Sequence, residues 1–314
     1  MAKQYGRNAV ILAVKDGAYG VQNKNLATAV VIQGNMTIDP GIQPIECNEK
    51  SGKTYKNDKQ MVQGQKKPTA TMTGEIAETN IDLLLGCSMH DNTPFVWGAT
   101  TSIYSYTLYV YDVEEKTYDY ITGAVCESLT ITGTQGDKLT FSANFRGADS
   151  DFDVVDAGGD SLESVPDEYN LTPMLFQNIA AKVMGVGTWT SKLISFNLTL
   201  NNEYQDDTLS FFNSQKRQQE IVCRQTGTFG YSFQSDTETN DYIFDNLINT
   251  VRNAKLQIRR DILSNYWTFD IYGIFLTYEN PMDTECQRVL SAEMEIVEDA
   301  SDENDPIKIT YTTT

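Results

Sequence analysis

Residues 195–202 read SFNLTLNN, and Phe196, Leu198 and Leu200 alternate with Ser195, Asn197 and Thr199. An extended strand turns successive side chains to opposite faces, so this strand has one apolar and one polar face. The pattern has an earlier echo, in which Asn35-Met36-Thr37-Ile38 stands against Asn197-Leu198-Thr199-Leu200. Each copy is followed by a polar loop, an apolar strand, a short helical pattern and a run of strands. Asn35 to Asn197, Ile81 to Ile243 and Leu85 to Leu247 are each 162 residues apart. Past the helix, Ile121 and Gly123 match Ile271 and Gly273 at a spacing of 150, and the longer connection over 88–102 absorbs the difference. The chain therefore reads as two versions of one domain, 1–148 and 169–314, separated by an acidic linker at 149–168.

Composition agrees with a mostly β protein. Seventeen tyrosines, abundant Thr and Val and few long helical runs favour strands. The 314 residues, 40% of them apolar, suffice for one large core or two ordinary ones. There are 24 basic against 43 acidic residues, a net charge of -19. Tight duplex binding needs clustered Lys and Arg to displace counterions, and this balance repels phosphate. The odd cysteine count, Cys47, Cys87, Cys126, Cys223 and Cys286 with no CxxC, reads as reduced thiols. The run AVILAV at 9–14 is too short for a secretory signal and is closed by Lys15-Asp16; nothing reaches the length of a membrane span.

Taken in order, the first twenty residues are either an arm lying on a neighbour or a first strand. A long strand is expected over 27–38, stopped by Asp39-Pro40-Gly41. The loop 46–68 carries Lys50, Lys53, Lys56, Lys59, Lys66 and Lys67, a basic protrusion on an acidic chain. It is either a solvated loop or a contact with the acidic surface of another copy, where complementary charge steers association. Residues 69–76 resume alternation. A short helix is expected from Asn80 to a stop at Gly86. Two hairpins follow, 104–113 with 118–125, then 128–132 with 138–146. The linker 149–168 holds eight carboxylates and no Lys or Arg, but lacks the closing Glu of a twelve-residue calcium loop. In the second half, strands are expected over 192–200, 227–233, 254–260, 266–272, 288–297 and 307–312, with a helix over 239–249.

No catalytic set is legible. The single histidine, His90 in SMHDN, has no second His or Cys at ligand spacing and reads as a loop residue. There is no Walker loop and no GxGxxG, and Gly185-Val186-Gly187 reads as a hairpin turn. Carboxylates are too abundant for any pair to stand out as an acid and base. No cofactor or metal site is predicted.

SLTITGTQGDKLTFSANFRG (128–147), PMLFQNIAAKV (173–183) and LISFNLTLNNEYQ (193–205), with the ETNIDLLLG helix between strands, resemble the tail tube proteins of long-tailed bacteriophages. The resemblance covers nearly the whole chain and rests on element order. It implies a β-sandwich or barrel domain flanked by a short α-helix, here in two tandem copies by the internal repeat, a departure from the family's usual single domain, and a structural virion protein rather than an enzyme. Such proteins form rings that stack into a tube around a tape-measure protein, later replaced by DNA during ejection. It implies as partners further copies of the chain, the tape-measure protein, a tail terminator and distal tail or baseplate proteins. The subunit would be made in the host bacterial cytoplasm and end in the virion tail. The family usually supplies one domain per position of a six-fold ring; a duplicated chain then gives trimeric rings, with a hexamer as the rival. The rival functions are another tail or baseplate component and a carbohydrate-binding module, which would display Trp97 or Trp189. Within 290–296, Leu290, Ala292, Met294 and Ile296 face one way and Ser291, Glu293 and Glu295 the other. Glu293 and Glu295 are therefore candidates for an acidic lumen.

Overall fold

The computed structural model describes residues 9–46, 61–91, 95–97, 103–166, 171–183, 193–205, 222–234, 252–259, 266–279, 289–298 and 305–313. Strand β1 (Ala9–Lys15) is an apolar run because both of its faces are covered: Ile11 and Ala13 enter the main core, Leu12 and Val14 a smaller one. The long strand expected over 27–38 is instead two. β2 (Val30–Ile32) pairs with β1, and β3 (Gly34–Asp39) crosses to another strand. The crossing needs Gly34, where a Cβ would lie 1.9 Å from the carbonyl oxygen of Thr73. β4 (Ile42–Glu46) and β5 (Met61–Lys66) pair with each other apart from the main sheet. β6 (Thr69–Glu75) alternates as expected, with Ala70 and Met72 buried.

Helix α1 (Ile81–Met89) starts where Asn80 predicted, but Asn80 braces the preceding turn: its Oδ1 accepts from Ala77 N at 2.9 Å and its Nδ2 donates to the Glu75 carbonyl at 3.0 Å. The helix does not stop at Gly86. It runs to His90, whose φ of 56° is left-handed and whose N–H bonds the Gly86 carbonyl. Gly86 stays inside because the helix is held by packing, with Ile81, Leu84 and Leu85 in the core.

β7 (Phe95–Val96) is short, β8 (Tyr106–Asp112) is almost wholly buried, and β9 (Thr117–Thr134) is a single 18-residue strand. The two expected hairpins thus share one strand. It pairs with β8 through its first part, up to Ala124, and with β10 (Thr140–Arg146) from Val125 to Thr132, with a bulge at Glu127 inside the β10 ladder. The acidic segment is tied down at its start as β11 (Asp149–Val155), antiparallel to β9. Past β11, Leu162 is buried beside Leu26, and the hydroxyls of Tyr109, Tyr111 and Tyr118 reach the Asn23 carbonyl, Asp156 Oδ2 and the Asp160 carbonyl at 2.6, 3.0 and 2.8 Å. Residues 149–166 thereby cover the outer face of β1 and β8.

The remaining strands are β12 (Ile179–Val183), β13 (Leu193–Tyr204), β14 (Val222–Gln234), β15 (Arg252–Arg259), β16 (Tyr266–Glu279), β17 (Val289–Ile296) and β18 (Ile307–Thr312). Gly185, Val186, Gly187 and the helix expected over 239–249 lie outside the described residues. One pairing order occurs twice. The first half runs β1-β8-β9-β10-β6-β3 with β11 also on β9; the second runs β12-β15-β16-β17-β14-β13 with β18 also on β16. Each central strand bulges at the same place, Glu127 in β9 and Leu276 in β16. Counted from the bulges, Thr37 reaches Asn144 through Thr71 as Asn197 reaches Glu293 through Gly230. The structural counterpart of Asn197 is thus Thr37, two residues from the Asn35 that the sequence echo suggests. Two residues are one strand period, so the inward and outward faces survive the shift.

The halves form one 16-stranded sheet because β13 pairs antiparallel with the end of β9, from Ser195 opposite Thr134 to Asn201 opposite Ser128. One core runs across both, from Met72, Phe141 and Leu129 to Leu198, Phe229 and Met294. The halves also meet where Trp267 Nε1 donates to Asp82 Oδ1 of α1 at 2.7 Å, and where β7 pairs with β18.

Candidate functional site

The residue rows across the sheet define its uncovered face. One row reads Asn35, Thr73, Ser142, Thr130, Thr199, Thr228 and Glu295 across β3, β6, β10, β9, β13, β14 and β17. Its neighbours carry Thr71, Asn144, Ser128 and Asn201 on one side and Thr140, Thr132, Asn197, Gly230 and Glu293 on the other. Short polar groups link the strands: Thr132 and Thr140 hydroxyls lie 2.8 Å apart, Ser232 and Ser291 2.9 Å, and Asn144 Nδ2 donates to Ser128 Oγ at 2.9 Å. The opposite faces of the same strands are the core. Glu293 and Glu295 are exposed on this hydroxyl-paved face, at its β17 end.

Where the halves join, a buried polar cluster fastens the end of β13 to the first half. Tyr104 N–H donates to His90 Nδ1 at 3.3 Å, so Nε2 carries the proton and donates to the Tyr204 hydroxyl at 2.8 Å. Tyr204 in turn donates to the Cys126 carbonyl at 2.8 Å. Asn202 Nδ2 donates to the carbonyls of Ser88 and Cys126 at 2.8 and 3.0 Å, and its Oδ1 accepts from Gln225 at 2.9 Å. Burial holds His90 neutral and lowers its pKa to about 4. His90 is thus a buried helix end, not the loop residue expected. The sequence held one signal of this cluster: Asn202 continues the apolar face set by Phe196, Leu198 and Leu200, where a polar residue must find partners.

Of the basic loop, Lys50, Lys53, Lys56 and Lys59 lie outside the described residues. Lys66 ends β5 and pairs with Asp149 of its own chain at 3.3 Å, and Lys67 N–H bonds the Gly41 carbonyl at 3.1 Å. Cys87 and Cys126 are buried free thiols, and burial raises both their pKa values. Cys47, Cys286 and the Cys223 side chain are outside the described set. Among the described residues no group of three His, Cys, Asp or Glu side chains is placed to hold a metal, and no helix is long and apolar enough to cross a membrane. Trp97 is buried, so it offers no platform for a sugar; Trp189 lies outside the described residues.

What remains is a site of assembly: a broad sheet made by joining two similar halves edge to edge, polar on one face and packed on the other. A comparison with curated proteins returned no match. The profile of the phage tail tube protein family matches residues 6–262, well over half of the chain. The chain belongs to the phage tail tube protein family, and is a structural component of the virion tail.

Proposed function

We propose that three copies of this chain close one ring of the tail tube, each filling two adjacent positions of a pseudo-six-fold barrel. The observation that carries this reading is the twofold occurrence of one pairing order, with the two sets already joined edge to edge through β9 and β13. A sheet continued in this way from copy to copy closes on itself and leaves no exposed edge. The domains are 1–148 and 169–314, with 149–168 as the connection, of which 149–155 pair with the edge of β9. The core side of the sheet is covered by α1 and by β1 with β8, so the hydroxyl-paved side faces the lumen. Glu293 and Glu295 lie there, with Arg224 at the far end of β14 on the same side, and DNA slides past a face made mainly of neutral hydroxyls and fixed carboxylates.

Rings stack into a tube around the tape-measure protein, and DNA replaces it during ejection. The tube is capped by a tail terminator above and distal tail or baseplate proteins below, and subunits are made in the host bacterial cytoplasm. Native mass spectrometry of rings released from purified tubes tests the stoichiometry. Three chains per ring is the expected mass; six chains would mean that one half builds the wall while the other decorates it.

A further inference from the structure

The pairing of β13 with β9 joins the two halves, yet the middle of that ladder would fit as well two residues out of place. On its polar face Ser195, Asn197, Thr199 and Asn201 oppose Thr134, Thr132, Thr130 and Ser128. A shift of two sets hydroxyls and amides against hydroxyls again. On its core face Leu198 and Leu200 oppose Ile131 and Leu129, aliphatic against aliphatic. Side chains repeat every two residues along a strand, so such a shift keeps the buried face buried and alternation gives no protection against it. The register is therefore decided at the ends of the ladder. At one end the ring of Phe196 lies over Gly133, where a Cβ would come within 2.5 Å of Phe196 Cε1 and 3.0 Å of Phe176 Cδ2. At the other end stands the buried cluster of Asn202, Tyr204 and His90.

We infer that Asn202, Tyr204 and His90 pin the register of β13 on β9, a positioning role distinct from holding the halves together. Their partners come from several elements and coincide at one register only. Asn202 Nδ2 spans the carbonyls of Ser88 in α1 and Cys126 in β9. The Tyr204 hydroxyl sits between His90 Nε2 and the Cys126 carbonyl, and the Arg146 guanidinium of β10 lies 5.6 Å from the Tyr204 ring centre. His90 is itself fixed by the left-handed end of α1 and by Tyr104 N–H. A slip of two residues moves each β13 group by roughly 7 Å, beyond the reach of any of these bonds. It strands buried donors and acceptors, whereas the apolar rungs merely exchange partners. Buried polar groups that specify register at the expense of stability are the best-attested use of such groups. Stagger between strands is linked to tilt and diameter in a closed barrel. The cluster thereby sets the bore of the tube, a consequence that rests on the ring reading above.

Cysteine pairs read the register directly. Thr130 and Thr199 are directly opposite, with hydroxyls 3.3 Å apart, so T130C/T199C reports the native register. T132C/T199C and S128C/T199C report shifts of two in either direction. Oxidation and peptide mapping of the full chain, at single-chain mass on denaturing gels, should show the native pair cross-linked at least tenfold more than either shifted pair. Adding N202L/Y204F should raise cross-linking of a shifted pair at least tenfold while circular dichroism still shows a folded β protein. Y204F alone removes one oxygen atom and should raise it at least threefold, which decides the matter if the double variant does not fold. A merely structural role would lower the denaturation midpoint and leave the tenfold preference for the native pair intact. That result in folded Y204F or N202L/Y204F chains would overturn the pin. The ratio is read within one chain, so finding six chains per ring would overturn the ring reading and leave the pin standing.

Discussion

His90 shows how one side chain can fasten two halves of a chain. Its Nδ1 accepts from Tyr104 and its Nε2 donates toward Tyr204, so both ring nitrogens are used only while the ring is neutral. Its pKa is lowered to about 4, against 6.5 for a free histidine. As pH falls from about 6.5, the unfolded chain takes up a proton that the folded chain refuses until about pH 4. Stability is full above that window and lost through it, by about 3 kcal/mol. His90→Gln keeps an acceptor and a donor without a titrating group. Chemical denaturation should place it within about 1 kcal/mol of the parent at pH 7, with the loss between pH 6.5 and 4 removed; an unchanged acid loss would refute the assignment. Asp16 works in the opposite direction. Burial raises its pKa to about 6 despite bonds from Thr107 and Gly123, so its contribution is complete below about 3.8 and lost as pH rises through 6. Neither role was legible in the sequence, because SMHDN and VKDG carry no trace of the residues that bury them.

At the level of elements, period-two alternation was readable wherever one face meets the core and the other does not, as in β6, β10 and β13. It failed where burial is two-sided or where partners are remote. β9 reads as two strands because its bulge interrupts the alternation at Cys126 and Glu127. How residues 149–166 are tied down was not readable, because what holds them, Leu26, Tyr111 and Tyr118, lies far away in sequence. Helix α1 outran its glycine because packing outweighs local propensity. The basic loop remains a prediction about contacts between rings. Replacing Lys50, Lys53, Lys56 and Lys59 by Ser or Gln should leave a folded protein whose tubes are shorter and less resistant to salt. Adding changes at Lys66 and Lys67 removes the partly exposed pair with Asp149 and should cost under about 1 kcal/mol of stability. Tubes of normal length and salt resistance from the fourfold variant would exclude the loop from stacking.

For the whole molecule, the pairing order that occurs twice supports the proposed duplication to which the sequence echo also points. The echo misplaced the counterpart of Asn197 by two residues, an error that identities between diverged strands cannot reveal and ladder registers can. The acidic balance suggested a net negative lumen; among the described residues the polar face of the sheet is mainly Thr, Ser and Asn with Glu293 and Glu295 at one end, and the acidic residues of 149–166 lie beside β1, β8 and β9. The most direct test of the account is a helical reconstruction of purified tubes at side-chain resolution. Three chains per ring, both halves in the barrel wall, and Thr130, Thr199, Glu293 and Glu295 facing the lumen are expected. Six chains per ring, a second half outside the wall, or Glu293 and Glu295 on the tube exterior would contradict it.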